Sequence, residues 1–202
     1  MMQKLGLDFY RRENVVQIAR ELIGKILIST IDGVKTSGRI VETEAYAGEI
    51  DRASHAYGGR RTKRNEVMYH NGGLAYVYLC YGIHHLFNVV TNVQNRPHAI
   101  LIRALEPMDG ISIMLARTAK PGLDNTLTRG PGNLSKALGI YSTDTGTSLT
   151  GRRIYLADDG FVFPEKTIAS SPRIGVDYAG QDALLPYRFY VRGNSYVSGK
   201  PK

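Results

Sequence analysis

Apolar positions recur at helical spacing through residues 12–24, where Val15, Ile18, Ala19, Leu22 and Ile23 share one face and Gly24 stands where a C-terminal cap belongs. The pattern predicts an amphipathic helix. The period then shortens. Residues 25–30 and 34–46 read as two strands joined at Asp32-Gly33, a hairpin signal because glycine tolerates the positive φ of such turns. Residues 75–81 form another strand, Gly82 breaks it, and 84–93 resume an extended pattern, so this pair is read as a hairpin with its tip at 81–84. Strands are also expected at 99–105, closed by Pro107, at 154–156 and at 187–191. Residues 111–116 and 130–138 read as short helices. Between them lie a long Gly-, Arg- and Asn-rich loop at 47–73, with room for a short helix, and a stretch at 143–171 without clear period apart from its one strand. Hairpins dominate, which predicts an α+β fold with an antiparallel sheet.

Composition narrows the class. The chain has 202 residues, 43% hydrophobic, enough for a real core in one domain. Its formal net charge of +8 suits a polyanionic partner, nucleic acid the commonest, and charge alone leaves ordinary solubility charge as an equal reading. The single cysteine, Cys80, excludes an intrachain disulfide, lies in an apolar run and is read as a small buried side chain. The first ten residues lack the apolar core of a signal peptide, and no apolar run approaches the ~20 residues of a membrane span. A soluble, intracellular, monomeric protein is expected.

Candidate chemistry clusters in three places. Glu42, Glu44 and Tyr46 alternate on one strand and so project to one face. Paired carboxylates suit acid–base work on a glycosidic bond, although a solvated strand edge shows the same spacing, and spacing does not rank Glu42 against Glu44. Tyr76 and Tyr78 share a strand face, with Tyr81 beside the hairpin break, in a chain of 13 tyrosines and no tryptophan. Flat rings suit stacking on nucleobases, and a tyrosine at a hairpin tip fits poorly as core. Arg52, Arg60, Arg61, Lys63 and Arg64 make the 47–73 loop a candidate phosphate contact. The five histidines, with no CxxC and no HExxH, show no metal-ligand spacing, and no metal or cofactor is expected.

These segments together resemble the alkyladenine (3-methyladenine) DNA glycosylase family. The resemblance rests on Gly38-Arg-Ile-Val-Glu-Thr-Glu-Ala-Tyr46, His55 with Gly58-Gly59-Arg60, Asn65, Tyr76-Val-Tyr-Leu-Cys-Tyr-Gly82 with Asn88, and Leu101-Ile-Arg-Ala-Leu-Glu-Pro107. Gly130-Pro131-Gly132, Arg173-Ile-Gly-Val176 and Arg188-Phe-Tyr-Val-Arg-Gly193 complete it, while residues 142–170 match weakly. The family implies a single domain over 1–202, with a curved antiparallel sheet, flanking helices and a protruding hairpin. Its implied partner is double-stranded DNA containing damaged purines, extruded and released by N-glycosidic hydrolysis to leave an abasic site. Glu44 then matches the base that activates water, and Arg103 the arginine beside it. Tyr46, His55 and Tyr78 match the enclosure of the flipped base, Asn88 the residue that crowds guanine's exocyclic amine, and Tyr81 the intercalating wedge. Ile83 stands where a relative carries methionine, and His84-His85 also departs from the pattern. A damage-binding domain without chemistry and a carbohydrate glycosidase using Glu42 and Glu44 are the competing readings.

Overall fold

The structure, a computed structural model, describes residues 2–199. A two-residue strand β1 (Gln3–Lys4) and a one-turn helix α1 (Leu7–Tyr10) open it, neither of which the hydrophobic pattern shows. The amphipathic helix α2 spans Val15–Glu21 and is shorter than the periodicity predicts, because the Asn14 side chain accepts the Gln17 N–H and takes the N-cap. Arg12, outside the helix, pairs with Glu21 instead.

The hairpin of β2 (Ile26–Ile31) and β3 (Val34–Tyr46) turns as expected. Asp32 and Gly33 have φ of 53° and 76°, the two positive values a type I′ turn requires. The remaining strands are β4 (Ala75–Cys80), β5 (His84–Thr91), β6 (His98–Pro107), β7 (Ile154–Asp158), β8 (Ile168–Ser171) and β9 (Arg188–Val191). Helices α3 (Ile111–Thr118) and α4 (Pro131–Leu138) follow β6. All pairings are antiparallel, in the order β1-β7-β2-β3-β6-β5-β4, with β8 and β9 branching from β3.

That branch matters for the site. One edge of β3 pairs with β6 from Gly38 to Tyr46. The opposite edge is shared, first by β2 up to Arg39 and then by β9 at Glu42–Glu44. The sheet divides near the middle of β3 and curls into a half-barrel. Two register shifts sit at the same point. Glu42 faces Ala104 and Thr43 faces Ile102, so Val41 is extra on β3 and Arg103 is extra on β6. Bulges of this kind re-aim side chains, and these two flank Glu42.

Helices α2 and α4 pack on β3, β5 and β6, burying Ile18, Leu22, Leu134 and Leu138 against Ile40, Ile100, Ile102 and Leu105. Each such side chain contributes about 1.5–3 kcal/mol. The 47–73 loop carries three short 3-10 turns, Gly48–Ile50, Tyr57–Gly59 and Glu66–Tyr69. It is anchored rather than loose. Ala56, Val67, Met68 and Tyr69 pack on Tyr76, Val90 and Ala99. Buried Asn65 ties it further, donating to His55 O and Arg60 O at 2.9 and 2.8 Å and accepting from Thr62 N at 2.7 Å.

The β4–β5 hairpin turns where predicted, and strand β4 ends one residue earlier than predicted, at Cys80. Ile83 N–H donates to Cys80 O at 3.2 Å, and the turn between them places Tyr81 and Gly82 at φ 51° and 74°. Cys80 is half-buried, not core. Among the described residues no helix is long and apolar enough to cross a membrane.

Candidate active site

A cavity of about 530 Å³ opens beside this hairpin, within the ~300–1,000 Å³ typical of small-molecule sites. Tyr46, His55, Tyr76, Tyr78, Asn88 and Arg103 line it, contributed by β3, the 47–73 loop, β4, β5 and β6. Tyr81 and Tyr178 stand at it too, both largely exposed. Of the sequence-derived candidates, Tyr46, His55, Tyr78, Tyr81, Asn88 and Arg103 therefore meet at this cavity, and Glu44 does not line it.

His55 packs edge to face on both Tyr76 and Tyr78, which are tilted to each other at 37°. The His55 and Tyr78 ring centroids lie 4.6 Å apart at 70°, and those of Tyr76 and Tyr78 lie 5.4 Å apart. Tyr76 OH and His55 Nδ1 are hydrogen-bonded at 2.8 Å. Burial, then Arg64 and Arg60, push the His55 pKa down to about 4, so the ring is neutral at physiological pH. Burial raises Tyr76 to about 12 and Tyr78 higher still, so both phenols keep their protons. Asn88 donates through Nδ2 to Tyr76 O and Leu86 O at 3.1 and 3.0 Å, which fixes its amide at the cavity wall.

Glu44 is fully buried, and three groups that line the cavity hold it. Tyr46 OH donates to Oε2 at 2.8 Å, Ile174 N–H donates to Oε1 at 2.8 Å, and Arg103 Nη1 lies 3.3 Å from Oε1. Burial and the Glu44 charge hold the Tyr46 pKa well above its ordinary value, so the phenol remains a donor. For Arg103, burial opposes the charge, but Glu44 and then Glu42 outweigh it and raise the pKa.

Glu42 occupies a different layer. It is also fully buried, but two of its partners, Arg188 and Ser198, stand away from the cavity and only Arg103 borders it. Arg103 Nε at 3.0 Å, Arg188 Nε at 2.7 Å and Ser198 Oγ at 3.0 Å all donate to its Oε1. The two carboxylates that spacing leaves equal are thus unequal: Glu44 meets the cavity wall through all three partners, and Glu42 stands behind it.

Several site residues escape the sequence reading. Arg173 is buried and bonds Asp51 through Nη1 and Nη2 at 2.5 and 2.8 Å and Ala45 O at 2.9 Å. Its guanidinium lies 4.8 Å from the Tyr46 ring centroid. This one side chain pins the start of the 47–73 loop, backs the Tyr46 ring and delivers the following residue, Ile174, to Glu44. In the sequence Arg173 and Arg188 stand inside blocks that carry the family resemblance, with no role attached to either; Asp51 and Ser198 give no signal. Of the basic loop residues, Arg52, Arg60 and Arg64 line a second cavity of about 260 Å³ that shares His55 with the first. Arg61 instead pairs with Glu66 and Asn95.

The family profile described as Methylpurine-DNA glycosylase matches residues 8–195. Similar curated proteins, each named "Putative 3-methyladenine DNA glycosylase", include one from Desulfitobacterium hafniense (strain Y51), 43% identical over 98% of this chain and 100% of its own length. Another, from Bacillus cereus (strain G9842), is 45% identical over 96% of this chain and 98% of its own, and one from Clostridium perfringens (strain 13 / Type A) is 40% identical over 98% and 100%. By that extent of match, with the site residues standing around one cavity, the chain belongs to the methylpurine-DNA glycosylase family.

Proposed function

We propose that the protein extrudes alkylated or deaminated purines from duplex DNA and hydrolyses their N-glycosidic bonds with a water activated by Glu44. The observation that carries this reading is the placement of Glu44 directly behind the wall of an aromatic cavity, held by Tyr46, Ile174 N–H and Arg103, which line it. In the proposed step the C1′–N bond breaks and its electron pair leaves with the purine. The sugar develops oxocarbenium character, which the Glu44 charge stabilises. The water oxygen bonds to C1′ and its proton passes to Glu44, leaving an abasic site.

The surroundings suit this chemistry. Tyr46, His55 and Tyr78 supply π faces, and a cationic alkylpurine among them gains about 0.5–2 kcal/mol. Asn88, fixed by its two backbone bonds, supplies the steric check on guanine. Tyr81 takes the space left by the extruded nucleotide, as wedging side chains do at opened steps. Arg52, Arg60 and Arg64, with the +8 net charge, provide the phosphate-facing surface. Among the described residues no lysine lines the cavity, which favours a water nucleophile over a Schiff base. Borohydride is expected to trap no enzyme–DNA adduct; a trapped adduct would sink the hydrolytic route.

The deciding experiment compares wild type with Glu44→Gln on duplexes carrying one hypoxanthine or ethenoadenine, and on methylated DNA. Free base and alkali-labile sites from wild type alone are expected. Tight binding without release from any of these substrates would instead favour a damage-binding role.

A further inference from the structure

Asn194–Ser198, after β9, reaches back beneath the cavity. Val197 is buried, and its carbonyl accepts from Arg129 Nε at 2.9 Å, which anchors the segment. Ser198 then bonds to Glu42, Arg103 and Arg188. Its N–H donates to Glu42 Oε2 at 2.6 Å and its hydroxyl donates to Glu42 Oε1 at 3.0 Å. The same Oγ accepts from Arg103 Nη2 at 3.0 Å, and its carbonyl accepts from Arg188 Nη2 at 2.7 Å.

The geometry points to Ser198 as a positioning residue for the chemistry at Glu44, a role that rests on the glycosylase reading above. Arg103 sits at a bulge, where the regular ladder does not set its direction. Its planar guanidinium is set by contacts instead. Glu42 holds Nε and Ser198 holds Nη2, and these two bonds leave Nη1 facing Glu44 at 3.3 Å. Glu42, Glu44, Arg103 and Arg188 form a buried group of two anions and two cations. Buried charge is tolerated only when its remaining hydrogen-bonding capacity is filled, and Ser198 fills it with its N–H, its hydroxyl and its carbonyl. Arg103 is the one cavity-lining residue to which it is hydrogen-bonded, so it acts on the reaction through Arg103 and not on the base.

The test is single-turnover base release from a hypoxanthine duplex by wild type, Ser198→Ala, Ser198→Thr and the exposed neighbour Ser195→Ala, with Kd and thermal midpoint measured alongside. Loss of one hydroxyl bonded to a charged group is expected to slow the rate constant of Ser198→Ala about tenfold. Kd should stay within about twofold, because no DNA contact is removed. Ser198→Thr should restore most of the rate, and Ser195→Ala should match wild type. An unchanged rate constant in Ser198→Ala overturns the proposal. So does a defect confined to amplitude, which reports fewer folded molecules, or to Kd. Absence of release by wild type itself would count against the glycosylase reading. The positioning claim is then decided by a crystal structure of Ser198→Ala: a displaced Arg103 guanidinium supports it, and one still facing Glu44 overturns it.

Discussion

Behind the wall of the cavity Glu44 is fully buried and held by two hydrogen-bond donors and the Arg103 guanidinium, from three different segments. At the hairpin tip Tyr81 is 91% exposed and sits at φ 51°, a backbone region that side chains other than glycine and asparagine rarely occupy. Both oxygens of the Glu44 carboxylate are engaged by groups that line the cavity. The tip has a large ring with no protein around it and a strained backbone beneath it. Neither arrangement is what stability alone selects. Buried ion pairs are often no better than apolar packing, and a left-handed tyrosine costs about 1–2 kcal/mol. Strain of this kind gathers where geometry serves function, and the two regions divide the proposed reaction between them. Chemistry needs a fixed carboxylate, and extrusion needs a projecting wedge.

The sharpest way to test that division is Glu44→Gln. The amide keeps the shape but loses the charge and the base, so release is expected to fall at least ~10³-fold, about 4 kcal/mol, with damaged-duplex binding retained. If binding falls in parallel, the carboxylate serves the fold more than the chemistry. Next comes the buttress. Asp51→Asn leaves the buried Arg173 without its anion, and a loss of about 3 kcal/mol in denaturant unfolding is expected. A loss under about 1 kcal/mol would mean that the wall is not held as the contacts indicate.

A third effect is pH-dependent. His55 titrates at about 4 in the fold against 6.5 ordinarily, so between those values the unfolded chain binds more protons than the folded one. Stability is therefore expected to drop as pH falls through that window, by up to about 3 kcal/mol. His55→Gln should flatten that part of the curve; an unchanged slope would assign the loss to other groups. The smallest effect belongs to the tip. Tyr81→Gly relieves the left-handed backbone, offset in part by glycine's extra entropy, and a stability gain of about 1 kcal/mol is expected. Release from duplex should slow while release from a single-stranded substrate should not. Equal slowing on both would remove the wedge role.

How much of this is legible in the sequence follows from the range of each signal. The β2–β3 hairpin is written locally, in alternation and in Asp32-Gly33, and it folds as read. The end of β4 is misread by one residue because the turn begins at Tyr81, a residue that does not advertise positive φ. Helix α2 is overextended because Asn14, a cap signal, lies inside the apolar period. The grouping of Glu42, Glu44 and Tyr46 is visible, since alternation needs only three positions. Their ranking is not, because it depends on bulges at Val41 and Arg103 and on Arg188 and Ser198, far along the chain. Arg61 illustrates the converse. It reads as a free cation in a basic loop, but Glu66 five residues on claims it.

The branching of β3 also has a kinetic side. Apart from the nearby Tyr46, Glu42 and Glu44 find their hydrogen-bond partners across 61, 130, 146 and 156 residues of chain. Contacts of such separation are the slow ones to form, because loop closure must precede any reward. A collapsed intermediate with its local hairpins formed would hold the aromatic wall of β4 and β5 but no oriented carboxylate. Recovery of activity after dilution from denaturant should therefore follow the last phase of refolding and lag the return of sheet signal, making the catalytic centre a reporter of completed topology.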